Sequence, residues 1–468
     1  MYFFRMPRLT IGRRTASLPI VQGGMGVGIS LAGLASAVAR QGGVGVIAAN
    51  GIGMIEPDYY ADGRAANIRA MRAQLRLARA RSSGLIGVNI MVAANDFQQL
   101  LDVCIEEKAD ALFMGAGLPI RNIPVARIRA AGAAVVPIVS SGRAAELIFS
   151  YWQRAYGDVP DAVVVEGPLA GGHLGFRVEA LNAPEQQLEV LVPQVRDALA
   201  PFAASFAKRI PVIAAGGIYD GADILKFLRL GAEGVQMATR FVATEECDAD
   251  RRFKEAYVAC RPEDVTIIKS PVGMPGRAIR NRFLEDAARG VRNVSRCAWR
   301  CLEQCDIRHA DYCISAALDN ARRGRLDQGF AFCGANAHRV SAIVPLTALL
   351  EELKQGYEAA VLQGLAALKD ETLGMIEGRI AGLRRDYDQA RRKLAGLRLR
   401  AGKAWDARRG SLNEDLERAR ELVERLGRER EAVRAKLDSL ARRFPERLAR
   451  LQAIARSIGP RPAGNPAG

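Results

Sequence analysis

The chain has 468 residues, 49% of them apolar and 25% charged, which is more than one hydrophobic core commonly serves and implies a large domain plus a smaller element. No apolar run approaches the roughly 18 residues of a membrane span, and MYFFRMPRLTIGRR opens with too short an apolar stretch for a secretory signal, so the expectation is a cytoplasmic protein. The formal charge of +16 is uneven, with 24 Lys and Arg against 14 Asp and Glu in residues 371–468, so the basic character belongs mainly to the tail.

From Pro19 to about Val242, short β-branched runs alternate with longer amphipathic stretches. The runs are PIVQ, GVGVIAA, LIGVNIMV, ALFMGAG, VVPIVS, AVVVEG, PVIAAGG and GVQMATRFV. ISLAGLASAVARQ is the first of the helices predicted between them and DGADILKFLRLG the last. Eight strands with intervening helices predict an α/β fold, a (β/α)8 barrel of TIM type over residues 1–250, with a doubly wound open sheet as the alternative. In a barrel, function sits at the C-terminal strand ends, where this chain places QGGMGVG, VNIMVAAND, SSGR, EGPLAGGHLG, AGGIYDG and MATRF.

Residues 251–350 read as a lid and a returning C-terminal segment: a helix DADRRFKEAYVAC, a short run TIIKSP, and PVGMPGRAIRNRF as a loop or lid. A cysteine-dotted stretch then ends in GFAFCGANAHRV. Residues 371–456 carry apolar or small residues at steps of three and four, from Leu373 through Leu397 and again from Leu416 through Phe444, which predicts a coiled-coil helical hairpin. Its turn falls near Gly402 to Gly410, with an N-cap at Ser411 and a capping-box partner at Glu414. Residues 457–468, ending GPRPAGNPAG, read as a disordered tail.

AAGGIYDG, with Gly216 and Gly217, closes the seventh strand, and GVQMATRF closes the eighth. In barrels, backbone N–H groups at these two tips commonly grip a phosphate. No Walker lysine follows and no GxGxxG opens a first βα unit, which excludes a P-loop and a Rossmann site.

LPIVQGGMGVGIS, GVNIMVA, EGPLAGGHLGF, IPVIAAGGIYDGADI and LGAEGVQMATRF, in that order, resemble the nitronate monooxygenase family, the 2-nitropropane dioxygenase-like proteins, and their relatives the FMN-dependent enoyl-acyl-carrier-protein reductases. The likeness covers roughly residues 10–345. It implies an FMN across the barrel top, with Gly23, Gly24 and Met25 along the isoalloxazine and Asn89 hydrogen-bonding it. By the same resemblance Ser140 and Glu166 line the cofactor, Gly216, Gly217, Ala238 and Thr239 take its phosphate, and CGANA brings Gly334 and Asn336 near it. Many members have Pro where this chain has Gly24 and Gly where it has Ala238.

His173 in GGHLG matches the family's histidine and is the candidate catalytic residue. A neutral imidazole can remove an acidic C–H beside a nitro group; with a nitronate, already an anion, it need only orient the oxygens. The resemblance implies oxidation of alkyl nitronates with O2 to carbonyl compounds and nitrite. The alternative is NAD(P)H-dependent reduction of an enoyl thioester on the same scaffold. A third reading is a flavin-binding scaffold acting through the tail, which could join copies of the chain or a protein partner; nucleic acid and membrane are not expected partners. Cys297, Cys301 and Cys305 recur every four residues, along one face if helical, with Cys313 downstream. That is no common zinc or ferredoxin spacing, and they read as small buried hydrophobes, with a metal or iron–sulfur site as the alternative. His309 and His338 read as structural.

Overall fold

The computed structural model describes residues 5–292, 297, 299–303, 305, 306, 308–400 and 409–442. It divides into two compact units, Tyr2–Tyr357 and Glu358–Gly468.

The first unit opens with a hairpin of β1 (Leu9–Ile11) and β2 (Arg14–Ala16). Parallel strands β3 (Ile20–Gln22), β4 (Val44–Ala48), β5 (Leu85–Met91), β6 (Ala111–Gly115), β7 (Ala134–Val139) and β8 (Val163–Glu166) follow. The two-residue strand β9 (Gly172–His173) lies outside the barrel, which β10 (Val212–Ala215) and β11 (Gly234–Met237) complete by closing back onto β3. All eight runs anticipated from sequence are its staves, and the open sheet is excluded by that closure. Helices α1 (Ala32–Arg40), α2 (Gly63–Arg81), α3 (Phe97–Glu106), α4 (Val125–Ala131), α5 (Gly142–Tyr156), α6 (Leu188–Ser205) and α7 (Gly221–Arg229) occupy the crossovers, and the short α8 (Thr239–Val242) follows the last strand.

Burial explains why the runs are continuous and not alternating. β4 and β6 are buried on both faces, one against the helices and one inside the barrel. The interior is filled by Val21, Val46, Phe113, Val136, Val164 and Ile213, and Leu9 and Ile11 of the first hairpin plug its lower end. The sequence reading missed that hairpin, whose strands are only three residues long.

Helix α1 lacks a cap from its own N-cap residue, Leu31. Asp248, from the chain after α8, supplies one, its carboxylate accepting from the N–H groups of Leu31, Gly33 and Leu34 at 2.8, 3.1 and 3.1 Å. Three otherwise orphaned donors depend on this one carboxylate. Asp248→Ala is expected to cost about 2–3 kcal/mol and to lower Tm by roughly 3–4 °C in thermal unfolding followed by circular dichroism. Asp248→Asn, which keeps one acceptor oxygen, should recover part of the loss; an unchanged Tm in the alanine variant would refute the cap.

After the barrel come α9 (Arg251–Val258), β12 (Val265–Lys269), β13 (Pro275–Ile279), α10 (Arg282–Ala288) and α11 (Ile314–Arg322). PVGMPGRAIRNRF, expected as a loop, holds a strand. β13 pairs antiparallel with β12 on one side and β9 on the other, so its backbone groups are satisfied by ladders, and Pro275 is tolerated as the strand's first residue. Cys297, Cys301 and Cys305 do not form a helical face. None of them is helical, and Leu302 between them bridges to Ala94.

Helix α12 (Leu346–Arg400) begins in the first unit and runs into the second, where α13 (Arg409–Arg442) follows. α13 already includes Gly410, so Ser411 lies inside the helix and is not its N-cap. The anticipated break at 402–408, Phe444 and the 457–468 tail lie outside the described residues, as do the side chains of Leu397, Val433, Leu437 and Leu440. Among the described residues no helix is long and apolar enough to cross a membrane.

Candidate active site

The C-terminal mouth of the barrel encloses a cavity of about 280 Å³. Its floor comes from the strand tips. Gly23, Gly24 and Met25 follow β3, Asn89 projects from β5, and Glu166 ends β8. Asn89 Nδ2 donates to the carbonyl of Phe113 at 3.3 Å. A Cβ at position 24 would drive into Asn89 Cβ, so Asn89 fills the space that any side chain at 24 would need, and the glycine fits this neighbour.

Gly216 and Gly217 line the cavity after β10, and Ala238 and Thr239 after β11. Both glycines have positive φ, +97° and +85°, and a Cβ on Gly216 would lie 3.0 Å from the Gly167 carbonyl and the Ala170 nitrogen. Among the described residues the N–H groups of Gly217, Ala238 and Thr239 have no acceptor, while the Gly216 N–H, on the peptide whose Ala215 carbonyl accepts from Gly167, is turned toward β11. Unsatisfied donors at adjacent strand tips of this kind can make a cradle for an anion. Gly334 reaches the cradle, its N–H donating to Thr239 Oγ1 at 3.2 Å. Asn336 supports it from behind, Nδ2 donating to the Gly217 carbonyl at 2.7 Å without lining the cavity. Ser140 does not line the cavity either; its hydroxyl abuts Gly175.

The roof is built by the segments after the barrel. Leu302, Ile314, Leu318 and Phe332 contribute apolar surface. Tyr257, fully inside, donates to the Phe332 carbonyl, and burial pushes its phenol well above the ordinary range. Arg277 on β13 is buried and donates from Nη1 to the carbonyls of Pro168 and Ala170, which ties the loop after β8 to the lid sheet.

His173 stands between floor and roof. Its strand, β9, pairs with β13 at Gly276, and Leu174 N–H donates to the Pro275 carbonyl at 2.8 Å. The ring meets Phe332 edge-on at 5.0 Å between centroids, and Nε2 lies 2.7 Å from Ser270 Oγ. Burial in this apolar setting lowers its pKa to about 4, so the imidazole is neutral at pH 7. Glu166 moves the other way, burial pushing its carboxyl up to about 7. The structure therefore brings together eleven of the thirteen anticipated residues at one cavity wall and holds Asn336 immediately behind it.

Ser270 was not legible in the sequence, where TIIKSP reads only as a strand run; its contact with His173 spans 97 positions and exists only once the hairpin folds. His309 pairs with Asp306 on the surface, and His338 Nδ1 lies 3.2 Å from the Ala335 carbonyl. Cys301 and Cys305 pack against an apolar cluster with Phe283, Tyr312 and Phe330. Among the described residues no group of three or more His, Cys, Asp or Glu is arranged to hold a metal ion.

A family model described as nitronate monooxygenase matches residues 9–356. A (3aS,4S,5R,7aS)-5-hydroxy-7a-methyl-1-oxo-octahydro-1H-indene-4-carboxyl-CoA dehydrogenase of Mycobacterium tuberculosis is 30% identical over 274 residues, 58% of this chain and 66% of that protein. The chain thus spans just under two thirds of that relative's length. A probable nitronate monooxygenase of Staphylococcus aureus (strain Newman) is 28% identical over 308 residues, 57% of this chain and 77% of that protein. Among solved structures, the nitroalkane oxidase of Streptomyces ansochromogenes is similar with a TM-score of 0.56 and 25% identity, covering 74% of this chain and 97% of that one.

Proposed function

The chain belongs to the nitronate monooxygenase family, and from that premise we propose that it is an FMN-dependent oxidoreductase that oxidises alkyl nitronates with O2 to carbonyl compounds and nitrite. The observation that carries the reading is the pairing of a neutral His173 on the cavity wall with a cradle of free N–H groups at the next two strand tips.

The cradle fits the cofactor's phosphate: among the described residues the Gly217, Ala238 and Thr239 donors lack acceptors, and a Cβ at Gly216 would press on the backbone that shapes them. Gly23, Gly24 and Met25 would border the ring system, with Asn89 and Glu166 along its edge and Gly334 near the phosphate. Bound FMN supplies electron transfer between the organic substrate and O2. The protein's own residues do the rest. His173 meets the nitro oxygens as a neutral hydrogen-bonding group, Phe332, Leu302 and Ile314 exclude water from the alkyl side, and the glycine flanks of His173 leave clearance for the substrate.

A second reading, reduction of an enoyl thioester by a nicotinamide cofactor, is favoured by the CoA thioester named for the mycobacterial relative and by the apolar roof. One anaerobic experiment separates the two. With the flavin-loaded protein, an alkyl nitronate is expected to bleach the flavin absorbance faster than NADH or NADPH does. Bleaching by the nicotinamides alone would replace the monooxygenase reading with the reductase.

A further inference from the structure

We propose that Ser270 is a positioning residue that fixes the tautomer of His173, so that the imidazole presents Nδ1–H to the substrate's nitro oxygens and the site takes the nitronate anion in preference to the neutral nitroalkane. The inference rests on the reading of the site given above and names the substrate form it selects.

The geometry begins with which nitrogen faces where. His173 lines the cavity and Ser270 does not, so Nε2, 2.7 Å from Ser270 Oγ, is turned toward the lid hairpin and Nδ1 is the ring nitrogen left for a ligand. Ser270 is 2% exposed, which makes an unmade hydroxyl hydrogen bond costly. Its oxygen has one other side-chain contact among the described residues, the Val272 N–H at 3.5 Å, and that group donates. Among the described residues the hydroxyl proton therefore has a single acceptor in reach, Nε2. A neutral imidazole that accepts at Nε2 carries its proton at Nδ1.

The hairpin keeps the serine in place. Ser270 N–H donates to the Met274 carbonyl at 3.0 Å, and Gly273 N–H donates to the Ser270 carbonyl at 2.9 Å. Because β13 of the same hairpin also pairs with His173 itself, hydroxyl and imidazole are held by one small sheet. A carboxylate in the serine's place would accept the Nε2 proton and leave a basic Nδ1; a hydroxyl whose proton is already committed to Nε2 does the reverse. The cavity thus meets the substrate with a donor. A neutral nitroalkane needs a base at its α-carbon, whereas a nitronate needs only partners for oxygens that already bear charge.

The test uses the full chain, labelled with 15N-histidine. Three histidines are present, and His173→Asn assigns the signals of His173. At pH 7 its Nδ1 is expected at a protonated and its Nε2 at an unprotonated chemical shift. Ser270→Ala should give a mixture of tautomers, and Ser270→Thr should restore the single one. In turnover, Ser270→Ala should lower kcat/KM for a preformed alkyl nitronate about tenfold with flavin content unchanged, and Ser270→Thr should recover it. A wild-type tautomer protonated at Nε2, or an alanine variant with an unaltered tautomer, overturns the inference whatever the substrate proves to be. Absence of nitronate oxidation in a wild type with the expected tautomer instead overturns the proposed function and leaves the tautomer assignment standing.

Discussion

Gly216→Ala protein is expected to purify folded but without flavin. Gly216 has φ of +97°, beyond the left-handed well that an L-residue tolerates best, and its added Cβ would sit 3.0 Å from two backbone atoms, the Gly167 oxygen and the Ala170 nitrogen, with Ala170 Cβ at 3.2 Å. Backbone cannot swing aside as a side chain can. Strain of about 2–3 kcal/mol must be relieved by rotating the 216–217 peptide unit, whose N–H helps to define the cradle. Loss of well-aimed donors on that scale corresponds to roughly 30–150-fold weaker FMN binding. The control is Gly132→Ala, which shares a left-handed φ of +74° but has nothing within 4 Å of its Cβ. It should cost stability and keep its flavin. FMN titration by fluorescence quenching, with circular dichroism to verify the fold, decides the matter. Normal affinity in Gly216→Ala, or equal losses in both variants, would remove the cradle from the phosphate assignment.

The same residues show what the sequence could and could not convey. Strand ends were legible because the staves are short apolar runs, most of them stopped within a few residues by glycine, and closure of the barrel makes those stops converge. Gly216, Gly217, Ala238 and Thr239 are therefore neighbours for a reason visible in one dimension. Asn336 was readable as a segment returning to the site, yet its task of holding the Gly217 carbonyl depends on a contact across 119 positions. PVGMPGRAI misled because Pro and Gly suggest a loop, and nothing local announces that two flanking strands will satisfy its backbone. The three cysteines kept a helical spacing without a helix, since the segment is pinned by the Ala94–Leu302 bridge and by Glu303 N–H donating to the Ala93 carbonyl at 3.1 Å.

Sequence also points to the wrong group for pH dependence, because an unperturbed histidine titrates near 6.5 and an unperturbed glutamate near 4.3. Burial reverses their order here, lowering His173 to about 4 and raising Glu166 to about 7. Activity on a preformed nitronate should accordingly show one inflection near pH 7 that belongs to Glu166. The direction follows from charge. An ionised Glu166 in a poorly solvated cavity repels an anionic substrate, so kcat/KM should fall about tenfold as the pH rises through 7. Glu166→Gln should flatten that profile, and His173→Asn should lower activity while keeping the inflection.

Stability carries the opposite signatures of the two groups. Between about pH 4 and 6.5 the unfolded chain binds a proton at His173 that the folded one refuses. The contribution of His173 is thus complete above 6.5 and is lost as the pH falls toward 4. Glu166 holds a proton when folded that the unfolded chain has released, so its contribution is present below about 4.5 and is lost as the pH rises through 7. Each effect is worth on the order of 1–3 kcal/mol, and the two offset each other in the window where both act. Removing one exposes the other: Glu166→Gln should raise Tm most at pH 8, and His173→Asn should raise it most at pH 5. An inflection near 7 that vanishes with His173→Asn and survives Glu166→Gln would return the titration to the histidine.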